Sequence, residues 1–525
     1  MLLRTIMVVA LLAGAIVGTT SPAQAYDTRT VRIESGWVRG TAGADHRVFS
    51  GIPFAAPPVG ANRWRSPQPV QPWTGVRDAT VPGDRCAQTT DVWGLPASDS
   101  EDCLYVSVTT PRPSPYDRPK PVMVWLHGGT LLKGAGSDYE PRRLAARGDV
   151  IVVTVNYRLG IFGFFGLPGL PDAGSFGLED QVAALRWVKR NAAAFGGDPR
   201  NVTLFGESSG AQTACALLAS PAATGLFQRV ITQSGNCWVG GPAAGGLTRA
   251  LEVPVWVPRA AHDAHGSALA AAAGCTDAAT AVTCMRAKST ADLLAMEPLA
   301  LPAYGTPVLP ENPDQVFAEG RFHRVPMMTG IVRDEGTMFA SLFFGGMTEQ
   351  QYRDGLAGIF GEHAAAIEAE YPASAYPAPV QAAAALIGDL DWALTANQSD
   401  RLFGRQSPVY AYEFTDRTAP QLFPFAPDVR PLASHGSELS FLFGVTWTTA
   451  PLTTAQRELG DTMIAYWARF AATGDPNRFG LPAWPRVDAA GASPYVQRLD
   501  LGPQGIGSFD RRAEHNLAFW EGLLG

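Results

Sequence analysis

One serine stands in a setting typical of an activated nucleophile. Ser208 is the central residue of Gly206-Glu207-Ser208-Ser209-Gly210, which follows the apolar run Asn201–Phe205 and precedes the helix-prone run Ala211–Ala219. A sharp turn from a strand into a helix accepts only small residues at its flanks, and here both flanks are glycine. Such a turn places the hydroxyl at the carboxyl edge of a sheet, beside a helix N-terminus that favours negative charge. The pattern predicts a nucleophile for acyl transfer, with an ordinary loop serine as the alternative.

A second glycine-rich turn offers backbone hydrogen-bond donors. His127-Gly128-Gly129-Thr130 follows the apolar run Val122–Leu126. The tetrahedral intermediate of acyl transfer carries an oxyanion, and the loss of one donor to it raises the barrier by about 3–4 kcal/mol. Backbone donors require a close approach of the chain, which favours glycine. We interpret His127 as a structural residue of this loop, although a histidine here could also be a base.

A base and an orienting acid are expected after the serine, in the chain order Ser, acid, His. His435 lies in a turn of small residues, Ala433–Ser437, just before the apolar run Leu439–Gly444. A base on a loop beside a rigid element is the expected arrangement. For the acid, Asp334 and Glu335 both follow a strand-like run, and spacing alone does not decide between them. Polar or helical contexts surround the histidines at the other positions: His46, His262, His265, His323, His363 and His515.

The segments that carry these residues indicate a mainly parallel sheet. Short apolar runs without alternation suit strands that are buried on both faces. Such runs occupy Val122–Leu126, Val150–Val155, Asn201–Phe205 and Val230–Gln233, and further apolar runs follow at Val325–Ile331 and Val409–Phe414. Leu178–Asn191 has apolar positions at helical spacing and predicts a crossover helix, and Ala-rich helices are predicted near 261–273 and 378–387. No polar linker divides the chain, which favours one core with long insertions.

Composition excludes several classes of protein. Hydrophobic residues make up 46% of the chain and charged residues 17%, which excludes a disordered chain. The net charge is −7 and the chain has four lysines, so no basic stripe is available for nucleic acid. The 55 glycines and 42 prolines indicate long ordered loops. The chain has neither an H-E-x-x-H motif nor a phosphate loop, so we expect no metal and no organic cofactor.

The first 25 residues have the order of a secretory signal peptide. Arg4 is followed by the apolar run Ile6–Val17 and then by Ala23-Gln24-Ala25, the charged, apolar and A-x-A order of such signals. The apolar run is too short to span a bilayer. We therefore expect cleavage after Ala25, a secreted protein and no membrane segment in the mature chain. A buried N-terminal helix is the alternative.

Six cysteines remain after this cleavage. An even number in an exported chain favours disulfides, and no C-x-x-C pair indicates zinc binding or redox exchange. Fifteen pairings are possible, so sequence alone does not determine the bonds. Cys275 and Cys284 bracket a short polar segment, and Cys86 and Cys103 bracket a stretch rich in Gly, Pro and Ser. The last two cysteines, Cys215 and Cys237, could also be buried and free.

Taken together, these segments make the chain resemble the type-B carboxylesterase and lipase family, which includes the cholinesterases. The resemblance covers most of the mature chain and rests on several blocks: Gly51–Gly60, Ser100–Val106, Asn156–Gly160, Phe195–Pro199 and Gly206–Gly210. It implies the α/β-hydrolase fold, a mainly parallel central sheet flanked by helices, with long loop and helical insertions in one domain over residues 26–525. It also implies a secreted carboxylesterase that hydrolyses small-molecule esters through an acyl-enzyme intermediate, without a cofactor.

The resemblance assigns roles to individual residues. The nucleophile, acid and base become Ser208, Glu335 and His435. The oxyanion donors become the N–H groups of Gly129, Thr130 and Ser209. The family's disulfides correspond to Cys86–Cys103 and Cys275–Cys284, and we extend this pattern to Cys215–Cys237.

The chain departs from the family pattern at two of these positions. Thr130 replaces the third glycine of the loop, and a β-branched residue resists positive φ, so we expect a differently shaped loop. This expectation bears on the loop's donors and on the acceptance of bulky esters. Ser209 replaces the usual alanine, a small change that keeps the backbone N–H.

Two residues suggest a pocket for a cation. Trp93 lies ten residues before Cys103, a position that resembles the cation-binding tryptophan of the cholinesterases. Glu207, beside the nucleophile, would add negative charge. The alternatives are a tryptophan packed on the rim and a glutamate that is simply the usual family residue.

Other functions compete with the simple esterase. Cholinesterase-like or lipase specificity would use the same mechanism, and a peptidase or thioesterase would differ in the leaving group. A non-catalytic binding module on the same fold would lack the triad, whereas Ser208, Glu335 and His435 are all present.

Overall fold

Within the residues that the structure describes, seven parallel strands form the middle of a sheet of eleven. The structure is a computed structural model that describes residues 28–90, 94–114, 116–171, 173–237, 255–296, 298–445, 447–448, 450–491, 494–502 and 505–524. The predicted signal peptide, residues 1–25, and Trp93 lie outside the described residues.

The strands alternate along the chain with helices of very different length. The strands are β1 Thr30–Ile33, β2 Gly36–Arg39, β3 Thr41–Ala42, β4 His46–Pro53, β5 Val76–Asp78, β6 Tyr105–Pro111, β7 Lys120–Leu126, β8 Tyr139–Glu140, β9 Ile151–Val155, β10 Gly197–Glu207, β11 Arg229–Gln233, β12 Val257–Pro258, β13 Ala303–Tyr304, β14 Met327–Val332, β15 Val409–Phe414, β16 Gly444–Val445, β17 Val496–Leu499 and β18 Ile506–Phe509. The helices are α1 Arg142–Gly148, α2 Gly160–Gly163, α3 Phe176–Asn191, α4 Ser209–Ala219, α5 Arg259–Ala272, α6 Ala281–Arg286, α7 Thr290–Leu294, α8 Pro313–Ala318, α9 Gly336–Phe344, α10 Glu349–Phe360, α11 Ala364–Glu370, α12 Pro379–Ile387, α13 Thr395–Gly404, α14 Leu439–Leu442, α15 Thr454–Thr473, α16 Arg511–Glu514 and α17 Leu517–Leu524.

The large sheet is parallel in the middle and antiparallel at its edges. Its strand order is β18-β17-β15-β14-β11-β10-β7-β9-β6-β4-β3. The strands from β17 to β9 run parallel, whereas β18 at one edge and β6, β4 and β3 at the other pair antiparallel. The mainly parallel sheet expected from the sequence is therefore confirmed.

Both faces of the sheet are covered, and strand β7 shows why. Val122, Val124 and Leu126 pack into one core, while Met123 and Trp125 pack into another. Successive side chains of a strand point to opposite faces, so a run without polar alternation fits only a sheet that is buried on both sides. Helices α3 and α4 contribute to the first core, and α1 and α15 contribute to the second.

The predicted elements agree with the observed ones to within a few residues. Strand β15 has the predicted bounds, Val409–Phe414, and the predicted crossover helix is α3. Strand β14 begins at Met327, two residues after the start of the predicted apolar run at Val325. The Ala-rich stretches are α5 and α12.

The cysteines are joined as Cys86–Cys103, Cys215–Cys237 and Cys275–Cys284. The second of these bonds connects α4 to the segment that follows β11. Among the residues that the structure describes, no helix combines the length and hydropathy needed to span a bilayer.

Candidate active site

The turn between β10 and α4 holds Ser208 in a strained backbone conformation. Its φ is 55° and its ψ is −127°, and its N–H donates to the carbonyl of Gln233 at 2.9 Å. The two flanking glycines are needed for close approach: a Cβ on Gly210 would lie 2.1 Å from the carbonyl oxygen of Leu126, and a Cβ on Gly206 would lie 2.7 Å from Gly210. The strand-to-helix turn therefore has the geometry expected of a nucleophile elbow.

The loop after β7 runs directly beside this turn. A Cβ on Gly128 would lie 3.0 Å from the Cβ of Ser208, so only glycine fits there. The next three residues all have positive φ, 109° for Gly129, 57° for Thr130 and 61° for Leu131. Thr130 therefore lies in the left-handed region although a β-branched residue disfavours it, and the differently shaped loop stays a prediction.

Three backbone N–H groups belong to the residues beside Ser208. Within the described residues, the N–H groups of Gly129 and Thr130 make no hydrogen bond. Ser209 is the first residue of α4, where a helix leaves its N–H groups without an intrahelical partner. Donors of this kind, held beside a nucleophile, can stabilise a developing oxyanion.

His435 and Glu335 form a buried pair. The Nδ1 of His435 lies 2.6 Å from Oε2 of Glu335, and the backbone N–H of Val332 donates to Oε1 of the same carboxylate at 3.0 Å. The carboxylate is thereby oriented by β14 and holds the imidazole in one orientation, the role of the acid in a hydrolytic triad.

Asp334 has a different set of partners. Its carboxylate accepts hydrogen bonds from Nη2 and Nε of Arg417, at 2.7 and 2.9 Å, and from the backbone N–H of Ala433 at 3.2 Å. Its own N–H donates to the carbonyl of Ala433 at 2.9 Å. Asp334 therefore joins the turn that carries Glu335 to the turn that carries His435, and it does not contact the imidazole.

Other buried carboxylates surround the imidazole. Oε1 of Glu207 lies 3.1 Å from Nε2 of His435, and Glu438 accepts the side-chain amide of Gln233 at 3.1 Å. Burial lowers the pKa of His435, but the negative charges of Glu207 and Glu335 outweigh this effect and raise it to about 9. Burial raises the pKa of Glu207 to about 8, although the charge of a protonated His435 opposes this effect.

Two aromatic rings pack on the imidazole, and the sequence did not indicate either of them. The ring centroids of Phe339 and Trp392 lie 5.3 and 5.0 Å from that of His435. Phe339 lies four residues after Glu335 on α9, so helical spacing could have placed it near the site. Trp392 belongs to a π-helix, Gly388–Leu394, and no sequence pattern predicts this rare element.

Ser208 and His435 line the same small cavity. Its volume is about 50 Å³, and its other lining residues include Gly129, Thr130, Leu95, Phe423 and Trp447. Glu207 also lines the cavity, whereas Trp93 lies outside the described residues. Ser208, His435 and the loop of Gly129 and Thr130 therefore meet in a mostly apolar recess.

The other possible base of the sequence, His127, lies outside the reacting geometry. His127 is buried, stacks on Tyr157 at 4.4 Å between ring centroids, and has a pKa that burial lowers to about 4. It is therefore a neutral structural residue of the loop. Ser234 is buried with a φ of 47°, and its hydroxyl has no hydrogen-bond partner within the described residues.

Comparison with known proteins agrees with this arrangement. A sequence profile of the carboxylesterase family matches residues 27–520. The chain is 34% identical to pyrethroid hydrolase Ces2e of Rattus norvegicus, over 92% of this chain and 87% of that protein. It is 35% identical to carboxylesterase 3 of Homo sapiens, over 94% of this chain and 90% of that protein. It is 36% identical to para-nitrobenzyl esterase of Bacillus subtilis strain 168, over 85% and 90%.

These similarities span nearly the whole chain, and they include proteins named for ester hydrolysis in bacteria and in mammals. The large, mostly parallel sheet flanked by helices is the α/β-hydrolase fold of that family. The chain therefore belongs to the carboxylesterase family and is a carboxylic ester hydrolase.

Proposed function

We propose that this enzyme hydrolyses small-molecule carboxylic esters with a Ser208, Glu335 and His435 triad. The observation that carries the proposal is the buried 2.6 Å contact between His435 and Glu335, in a cavity that Ser208 also lines. The N–H groups of Gly129, Thr130 and Ser209 are the proposed oxyanion donors.

The mechanism follows from the position of these groups. His435 takes the proton of the Ser208 hydroxyl as Oγ attacks the ester carbonyl, while Glu335 stabilises the imidazolium that forms. The backbone donors hold the oxyanion of the tetrahedral intermediate. His435 then gives its proton to the leaving alcohol, and the acyl group remains on Ser208. Water, activated by His435, repeats the steps and releases the acid.

The lining of the recess bears on the substrate. Phe423 and Trp447 bound a mostly apolar recess, which suits the acyl part of an ester. We propose an esterase, with lipase specificity as the alternative on the same mechanism, and we choose p-nitrophenyl butyrate as the assay substrate. Cholinesterase-like specificity depends on Trp93, and no contact of a described residue favours it.

Substitution of Ser208 by alanine tests the catalytic proposal. Because the nucleophile is lost while the fold keeps its backbone, we expect hydrolysis of p-nitrophenyl butyrate to fall by more than about a thousandfold, with an unchanged unfolding temperature. Ser267→Ala, on the exposed face of α5, is the matched control and retains wild-type activity. Full activity of Ser208→Ala would contradict the assignment.

We also propose that residues 1–25 are a signal peptide and that residues 26–525 form one secreted catalytic domain. The disulfides support an oxidising compartment. Expression in a bacterial host with an export pathway, followed by N-terminal sequencing of the protein in the medium, is expected to give Tyr26 as the first residue. Retention of the uncleaved chain inside the cells would argue against secretion.

A further inference from the structure

The two departures from the family pattern meet in the structure. The hydroxyl oxygen of Ser209 accepts the backbone N–H of Leu131 at 3.2 Å. Leu131 follows Thr130, and both residues have positive φ, which L-residues with a Cβ rarely adopt. The serine that replaces alanine in the nucleophile turn is thus bonded to the loop in which threonine replaces glycine.

A second hydrogen bond holds the other end of the loop. The hydroxyl of Tyr157 donates to the carbonyl of His127 at 2.6 Å. His127 and Leu131 are the two ends of the loop that carries Gly129 and Thr130. Ser209 therefore bonds one end of the loop to α4, and Tyr157 bonds the other end.

Both hydrogen bonds lie in the protein interior. Ser209, Tyr157, Leu131 and His127 are all buried. Hydrogen bonds in such surroundings are strengthened by the low dielectric, and a group that loses its partner there is costly to leave unpaired. An alanine at position 209 would leave the buried N–H of Leu131 without this hydrogen-bond acceptor.

We propose that the Ser209 side chain is a positioning residue that stabilises the strained conformation of Thr130. Its hydroxyl holds the loop in the shape that directs the N–H groups of Gly129 and Thr130 toward the oxyanion. A glycine at position 130 adopts positive φ without a steric penalty and has less need of this hydrogen bond. The inference rests on the proposed function, because it assumes that the loop binds an oxyanion.

A double-mutant cycle over positions 130 and 209 tests this coupling. Ser209→Ala keeps the backbone N–H of residue 209 and removes the hydroxyl that accepts the N–H of Leu131. In the wild-type background we expect Ser209→Ala to lower kcat for p-nitrophenyl butyrate about tenfold, less than the full loss of an oxyanion donor. KM is expected to stay within about twofold, because these donors act on the transition state. In the Thr130→Gly background, the same change is expected to cost less than about threefold.

Binding of a trifluoromethyl ketone, which forms a tetrahedral adduct with the serine, supplies a second readout. Its affinity is expected to fall in parallel with kcat in Ser209→Ala and to recover in the double variant. Tyr157→Phe keeps the ring that stacks on His127 and removes the hydroxyl, and it is expected to give a smaller loss in the same direction. A change in the unfolding temperature without a change in kcat would indicate a merely structural role and overturn the proposal.

Equal losses in the two backgrounds would also overturn the coupling. This outcome is distinguishable from a failure of the proposed function, because Ser208→Ala would then still be inactive. If Ser208→Ala were active, the proposed function itself would fail, whatever the result of the cycle.

Discussion

His435, which we propose as the base, is an imidazole among buried carboxylates, and this environment sets its pKa. Glu335 bonds Nδ1, Glu207 lies 3.1 Å from Nε2, and Glu438 adds a further negative group nearby. Negative charge favours the imidazolium, which helps the transition state because His435 becomes positively charged there. The same negative charge raises the pH up to which free His435 stays protonated. A protonated His435 cannot accept the proton of Ser208.

The Glu207→Gln variant tests how much the charge of Glu207 raises the pKa of His435. A raised pKa of about 9 predicts that kcat/KM of the wild-type enzyme rises with pH through the alkaline range, as His435 loses its proton. Removal of the charge of Glu207 destabilises the imidazolium, so the pKa of His435 falls and the rising limb moves to lower pH, by about one unit. The pH profile of p-nitrophenyl butyrate hydrolysis measures this midpoint.

The control for this prediction is Glu458→Gln. Glu458 is an exposed carboxylate on α15, so its neutralisation is expected to leave the midpoint unchanged. A midpoint that stays in place or moves to higher pH in Glu207→Gln would show that Glu207 does not influence the base.

At the scale of elements, the candidate groups lie on turns that follow parallel strands. The loop with the proposed oxyanion donors follows β7, Ser208 follows β10, and Glu335 follows β14. The carboxyl ends of these strands lie at one edge of the sheet, so neighbouring turns meet there. Short apolar runs made the strands predictable, and the small residues after them made the turns predictable.

Other features of the same turns could not be derived from spacing. Asp334 and Glu335 are adjacent, and only the three-dimensional turn directs Glu335 to His435 and Asp334 to Arg417 and Ala433. Thr130 has positive φ against its own preference, because the surrounding hydrogen bonds outweigh a local steric cost. Local propensity yields to tertiary contacts at both places.

For the whole molecule, the fold class was predictable and the packing around the base was not. Periodicity and strand order predicted the mainly parallel sheet, which is confirmed. Trp392 packs on His435 only because a π-helix brings it there from a segment about 45 residues earlier in the chain. Contacts between distant insertions leave no periodic trace in the sequence, so they had to come from the structure.

The most direct test of the central claim is to locate the covalent adduct of an organophosphate ester. Diethyl p-nitrophenyl phosphate reacts with an activated serine: the bond from Oγ to phosphorus forms, and p-nitrophenolate leaves. After reduction and tryptic digestion, fragment masses of the peptide that contains residues 201–229 are expected to place the diethylphosphoryl group on Ser208, in proportion to the loss of activity. Inactivation with the group on another residue, or without any adduct on Ser208, would contradict the account.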